Sequence, residues 1–592
     1  MERLARLLAF TLFIGAPGLG VFALNVEAAE PAMSDDVYFK TAGPISGSPA
    51  PHLTAADYPV SPFPSPLNES RVIIWVLAQQ HLYVGAFILG VLFLVTLSEG
   101  WALVSRREEA PWARRAAQEM LRLVILAIAV GALSGALLLA GLWLWYPGLS
   151  HYLAAVFRPS VLFYGVLVVS FNLTAIRYYY SWPTEESDRR WDHLALGVFA
   201  NILGVALVLV ANSWSAFMMA PSGIDAQGRF LGSDWAVLNG ALSLPLAVHR
   251  LSGHIVFGGA VIAAYAAYHA LASTSAERKA YYDWMGCAAL IVALISLFTI
   301  PFGGYWFHRE IYGYRQQMGI TLLGGLLAWH GIILVTLLAI IIMLITYYFW
   351  QRIDAQDGGN RFAHQAKYVF LVLALGLVVY VTPHTLVMRA AQLEAIGGQQ
   401  HPVVGHFGVE SAKQGAVNLM LIATAWSALV WWRSRYRESP SRAQSILAAL
   451  FLVGSLNIVW LSVGGYFIPA NVRVGYQMPI AMTTFSVIVL GAWLTRRIVT
   501  RAPRSPFAWG RLPNRGYWAL LSLGVTVTWL MGLAGYRRSS VRLFWHAMET
   551  VRDTSPWAFT HAIGFAGNVI TVNTLLFWLG FAGLAWLSRS SE

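Results

Sequence analysis

Residues Leu238–Ala272 read LNGALSLPLAVHRLSGHIVFGGAVIAAYAAYHALA, an apolar stretch long enough to cross a bilayer as a helix. It carries two histidines, His249 and His254, well inside the apolar run. An imidazole at membrane depth costs free energy unless something in the interior receives it. Such a ring is a hydrogen-bonded packing residue, a member of a proton relay or a metal ligand, and the rest of the chain is read for which role applies.

The composition sets the class. Of 592 residues 57% are hydrophobic and 11% charged, less than half the charged share of a soluble globular protein. The chain is therefore expected to be all-α, a polytopic transmembrane helix bundle. Its net charge of +12 is scattered through short loops between apolar segments, which fits membrane topology and not a nucleic acid partner. A single cysteine, Cys287, leaves no internal disulfide. Covalent c-type haem and iron–sulfur clusters need several thiols, so any haem or metal must be held by His, Met or carboxylate.

The start, MERLARLLAFTLFIGAPGLGVFALNVEAAEP, has a basic head, an apolar run and small residues at 26–29, the layout of a signal peptide over residues 1–29. Residues 30–70, rich in Pro, Ser and Ala, read as an exported irregular segment. Thirteen spans follow, near 72–104, 117–146, 150–181, 192–219, 236–272, 281–306, 318–350, 367–389, 413–432, 443–469, 477–495, 516–536 and 557–587. An exported N-terminus then puts the C-terminus inside. The loops so placed inside carry Arg106, Arg107, Arg114, Arg115, Arg189, Arg190, Arg278, Lys279, Arg433, Arg435, Arg496 and Arg497 among others, and their basic residues outnumber those of the outside loops.

Topology turns the histidines into depths. His81 lies about ten residues into the first span, His249 and His254 roughly thirteen and eighteen into the fifth, and His330 about twelve into the seventh. A shared level on separate helices is what a haem held inside a bundle requires. The pair His249 and His254, at i and i+5, do not share a helix face and are not expected to grip one metal together. His308, His401 and His406 are expected in outer loops, solvated. His193, His269 and His364 are expected at the inner interface.

Two blocks resemble subunit I of the cytochrome bd oxidase family. Ala200–Gly223, ANILGVALVLVANSWSAFMMAPSG, is similar to the family's fourth-helix block, with Ala211, Asn212, Trp214, Met219, Pro221 and Gly223 in matching places if this chain carries a short insertion. AVHRLSG at 247–253 is similar to the fifth helix, where the histidine matching His249 binds a low-spin b-type haem. A weaker match over Arg71–Trp101 puts His81 on the histidine of a high-spin haem site. The resemblance covers roughly the first seven spans, so residues 71–352 read as a haem-binding bundle and 353–592 as further transmembrane helices of unknown role. The family's third-helix glutamates have no counterpart; Tyr164 and Asn172 fall near those places. The quinol-binding loop is also missing, so the resemblance carries neither quinol oxidation nor a d-type haem to this chain. Arg315 and Met318 stand where the family's arginine and methionine ligand do, with altered spacing.

The resemblance implies a haem-binding oxidoreductase subunit of a bacterial-type inner membrane. It would pass electrons between two or three b-type haems, to oxygen in the fullest version, beside a second membrane subunit. His249 with Met318 or His330 would hold the low-spin haem, His81 a second haem, and His254 that cofactor or its surroundings. Asn212, Trp214 and Arg250 would support ligands or propionates, and Glu99 would deliver protons. Copper has no support in the residues. The expected donor is an exported cytochrome c or periplasmic redox protein, drawn to outer loops that include His401, His406 and the basic run Arg537–Arg552. Two alternatives stay open: a haem anchor or conduit that does not react with oxygen, and a proton-coupled transporter.

Overall fold

The computed structural model describes residues 70–145, 147–184, 187–220, 231–232, 235–314, 328–381, 410–437, 442–464, 470–499, 502–540 and 563–589. The signal peptide, the exported segment, Met318, His401 and His406 lie outside the described residues. Thirteen described helices are long and apolar enough to cross a membrane, as the hydropathy pattern predicts. They are α1 (Ser70–Val104), α2 (Ala110–Trp145), α3 (Pro147–Tyr180), α4 (Arg190–Met219), α5 (Ser243–Ala272), α6 (Ala276–Tyr314) and α7 (Ala328–Ala355). The chain continues through α8 (Ala363–Val381), α9 (Glu410–Ser434), α10 (Arg442–Gly464), α11 (Ala470–Val499), α12 (Asn514–Ser540) and α13 (Ile563–Arg589). The face at which α1 begins is called the first face, and the face at which it ends the second.

The helix that carries His249 and His254 is the hub. α5 is the most buried span, packed along its length on α6 and also against α1, α4 and α12. Lipid is as apolar as leucine, so burying apolar side chains does not itself drive helices together inside a membrane. Close backbone approach and van der Waals contact do, and both need small residues. α5 supplies them in GHIVFGGAVIAAYAA. A Cβ on Gly258 would stand 2.7 Å from the Gly90 carbonyl carbon of α1, and one on Gly259 2.8 Å from Ala293 Cβ of α6. From the partner helices, a Cβ on Gly303 would meet the His249 backbone nitrogen at 2.8 Å, and one on Gly524 would meet Ala264 Cβ at 2.8 Å.

The second face is tied by a buried ion pair. Arg352 on α7 grips Asp283 on α6 through Nη1 at 2.8 Å and Nη2 at 2.6 Å, and its Nε donates to the Tyr348 hydroxyl at 2.9 Å. The Gly510 amide also donates to Asp283 at 2.7 Å, so the connection between α11 and α12 is fastened to the same carboxylate. Meeting two arginine donors and a backbone amide, Asp283 is compensated for leaving water.

α5 starts at Ser243, after a separate 3-10 turn at Ala236–Asn239, and not near 236. His249 is therefore less than two turns from the helix start and closer to the first face than the hydropathy pattern alone implies. α6 runs on through Pro301 to Tyr314, well beyond the expected end of its span. Gly303 and Gly304 let it stay against α5 there.

If the small-residue seam holds the bundle, Gly258→Val should lower the thermal unfolding temperature of the purified protein. Overpacking of this kind costs about 1–3 kcal/mol or more. Gly580→Val, at a position with open space around it, should leave the unfolding temperature near that of the parent. Equal stability of both variants would contradict the packing scheme.

Candidate functional site

Close to the first face, α1, α5, α6, α7, α8, α9 and α12 border a cavity of about 430 Å³. Its wall is mostly apolar, built from side chains such as Leu82, Val256, Phe257, Leu297 and Met531. Three histidines line it. His249 and His254 come from α5, and although i and i+5 are not one face, a wide cavity takes both. The third, His308, is not in a solvated loop as expected: it lies on the extended end of α6, where the helix stays packed on α5.

Each imidazole has a definable setting. Nδ1 of His249 and Nδ1 of His254 are buried and have no hydrogen-bond partner among the described residues. Gly304, one turn before His308, packs its Cα side on the His249 ring; a Cβ there would sit 3.4 Å from His249 Nδ1. Gly253, one turn after His249 on α5, also lines the cavity, and a Cβ there would meet nothing within 4 Å. Free space therefore lies directly beside the His249 turn.

The charge in this wall is one-sided. Arg250, Lys413, Arg537 and Arg538 line the cavity, and no carboxylate does so among the described residues. Arg250 donates to Asn212 Oδ1 on α4, a neutral partner. Arg537 and Arg538 are 4% and 9% exposed. This corrects, for these two residues, the expectation that the run Arg537–Arg552 is an outer loop; residues 541–562 lie outside the described ones. α12 continues through both residues to Ser540, and the packing of α12 on α5 and α7 turns its last turns into the protein.

The remaining candidates fall elsewhere. His81 faces α2, with Nδ1 3.1 Å from the Gly131 carbonyl and 3.3 Å from the Ser134 hydroxyl, and it does not line the cavity. A carbonyl only accepts, so Nδ1 carries the proton and Nε2 the lone pair, the tautomer typical of a metal-binding histidine. His330 is fully buried behind the cavity wall and stacks on Tyr536, with ring centroids 5.6 Å apart. Trp214 points into α3: its Nε1 donates to Ser160 Oγ at 2.9 Å and its ring stacks on Phe157. Asn212 and Arg250 are thus brought together, while Trp214 is not joined to them. Among the described residues no group of three His, Cys, Asp or Glu side chains converges as a metal ion would need.

Glu99, near the second face, is 5% exposed and part of a closed network. The Tyr178 hydroxyl donates to its Oε2, and His193 Nδ1 lies 2.6 Å from its Oε1. His193 Nε2 is 2.8 Å from the Tyr178 carbonyl, so that nitrogen must carry a proton. One further proton then sits between Nδ1 and Glu99, on either partner. Beside it, Asn201 donates to Thr96 Oγ1 at 2.8 Å. His193, in the first turn of α4, is thus a buried partner of Glu99. Sequence reasoning also missed Glu119, which accepts from Tyr265, Tyr281 and Tyr282 at 2.6, 2.8 and 3.0 Å. Its signal was the Tyr281–Tyr282 pair at the start of α6. His269, in the last turn of α5 and stacked on Tyr282, is buried with this cluster.

Residues 70–318 match the family model described as Cytochrome bd terminal oxidase subunit I. No curated protein matches the chain. Solved structures that match it include "The structure of bd oxidase from Geobacillus thermodenitrificans", at 12% identity and a TM-score of 0.45, covering 88% of this chain and 98% of that one.

The Glu99 network makes a stability prediction. Glu99→Ala leaves the Tyr178 hydroxyl and His193 Nδ1 unsatisfied in the interior, at about 1–3 kcal/mol for each group. The variant should unfold at a lower temperature than the parent, and an unchanged thermal midpoint would mean the network is not closed as described.

Proposed function

We propose that this chain, whose residues 70–318 match the family model described as Cytochrome bd terminal oxidase subunit I, is a haem-binding membrane oxidoreductase subunit. In this reading it carries b-type haem and moves electrons within the membrane, to oxygen as final acceptor. The observation that carries the reading is the first-face cavity: an apolar chamber within a membrane-spanning bundle, bordered by Nδ1 of His249 and of His254, which have no hydrogen-bond partner among the described residues. Iron porphyrin bound to imidazole supplies one-electron exchange and, when five-coordinate, a site for oxygen.

The residues present fit such a group. Nδ1 of His249 has no hydrogen-bond partner among the described residues, and Gly253 leaves open space on the next turn of the same helix. The apolar wall excludes water, which strengthens every electrostatic contact inside. His249 would hold the group, with Met318 or His330 as the candidates for a second ligand. His254 serves that haem or its surroundings, and Asn212 holds Arg250 towards the chamber. His81, whose Nδ1 is fixed by Gly131, is proposed for a separate haem on the α2 side. Trp214 supports α3 packing next to this region. Glu99, with the proton it shares with His193, is proposed as a proton donor to the reaction from the second face.

In this reading the first face is the outer side of a bacterial-type inner membrane. Electrons arrive there from an exported cytochrome c or periplasmic redox protein, and a second membrane subunit covers part of the exposed apolar surface. A haem conduit that does not react with oxygen is the second reading, favoured because Tyr164 and Asn172 stand near the places of the family's third-helix glutamates.

Reduced-minus-oxidised spectra and a pyridine haemochrome assay on the purified chain should show b-type haem. His249→Ala should remove the low-spin band while the protein still reaches the membrane. Carbon monoxide should shift part of the parent spectrum; a haem spectrum without any shift would select the conduit. A folded, haem-free protein after haem supplementation would overturn both and leave the transporter reading.

A further inference from the structure

The C-terminal helices add three cations to the one, Arg250, that the family-matched segment places at the chamber. Lys413 on α9 and Arg537 and Arg538 on α12 all line it, and all lie beyond residue 318, where the family match ends. Nε and Nη2 of Arg537 and Nη1 of Arg538 are buried with no hydrogen-bond partner among the described residues. A guanidinium removed from water without an anion is one of the most expensive groups a protein can bury. Two such groups, adjacent in sequence and facing one chamber, also repel each other across a medium that screens poorly.

The bland explanation is that basic residues in the last turn of α12 complement the negative end of the helix dipole. That interaction would engage the guanidinium nitrogens with terminal carbonyls, whereas three of these nitrogens find no acceptor among the described residues. With Arg250 on α5, four cations face a space lined by no described carboxylate. Such a lining matches a ligand that is largely apolar and carries more than one negative charge.

We propose that Arg537 and Arg538, with Lys413, form a dicarboxylate-anchoring site, and that the two propionates of a haem in this chamber are its ligand. The inference rests on the haem reading above. The arginine fork matches a carboxylate geometrically, with two parallel N–H donors to two oxygens. The last spans of the chain then have a role: α9 and α12 close the chamber and neutralise the charged edge of its occupant. The three cations act as anchoring and positioning residues and do not touch iron. An anionic lipid whose headgroup enters the chamber has the same charge chemistry, and the experiment separates the two sources.

The test uses the full-length, haem-loaded protein reconstituted with haem carrying ¹³C-labelled propionates. In reduced-minus-oxidised infrared spectra, the labelled carboxylate bands of Arg537→Gln/Arg538→Gln should move relative to the parent. Transfer of haem to apomyoglobin should speed up about tenfold or more, a factor equal to about 1.4 kcal/mol of lost anchoring. The midpoint potential of the same haem should fall, because cations near the propionates favour the reduced form. Arg537→Lys/Arg538→Lys should restore most of the potential, and it also serves as the charge-retaining variant if the glutamine pair does not fold. Bands, transfer rate and potential all unchanged in the glutamine variant would overturn the proposal. So would loss of a bound anionic lipid, seen by native mass spectrometry, with the propionate bands unmoved. A parent protein that takes up no haem would instead end the reading on which this one rests.

Discussion

The contact between α5 and its neighbours is the constraint on which the rest depends. Gly90 of α1 and Gly258 of α5 meet backbone to backbone, and Gly303 of α6 lies directly on the backbone of His249. With no hydrophobic drive to sort helices inside lipid, these close approaches decide which helices become neighbours. They also bring His249, His254 and His308 to one chamber. A larger side chain at Gly303 would collide with the α5 backbone where it carries His249, so packing and candidate chemistry are set by the same atoms.

Polar groups inside the bundle follow two patterns. Asp283 with Arg352, Glu99 with His193 and Tyr178, and Glu119 with three tyrosines are closed sets near the second face, where donors meet acceptors within the protein. Near the first face the pattern changes. Imidazole and guanidinium nitrogens border a space and lack described partners. Interiors rarely leave such groups unmet without a ligand, water or ion to answer them. Orphaned polar atoms also occur near the second face, at Gln351, Arg435 and Tyr517 among others; what sets the first face apart is that its orphaned nitrogens border the chamber.

Much of the architecture was legible in the residues. The thirteen apolar runs, their order and the absence of soluble-domain patterning follow from hydropathy, because a bilayer leaves few options to a spanning backbone. The candidate site was legible in part. His249, His254 and Arg250 were marked by polarity inside an apolar run, and all three line the chamber. His308, Arg537 and Arg538 were read as loop residues because a hydropathy window ends where charge begins, whereas α6 and α12 continue past that point while still packed on α5. His193 was invisible as a partner of Glu99, since the two are brought together by the packing of α1 on α4, which no local pattern records. His81 shares a depth with the other histidines but faces α2, a distinction that requires helix rotation as well as level.

The most direct examination of this account is an electron cryo-microscopy map of the purified chain, resolved well enough to show side chains and bound groups. The account requires planar porphyrin density in the chamber bounded by α5, α6, α9 and α12, joined to the His249 ring. A chamber filled only by lipid or solvent in protein that demonstrably carries haem would contradict it.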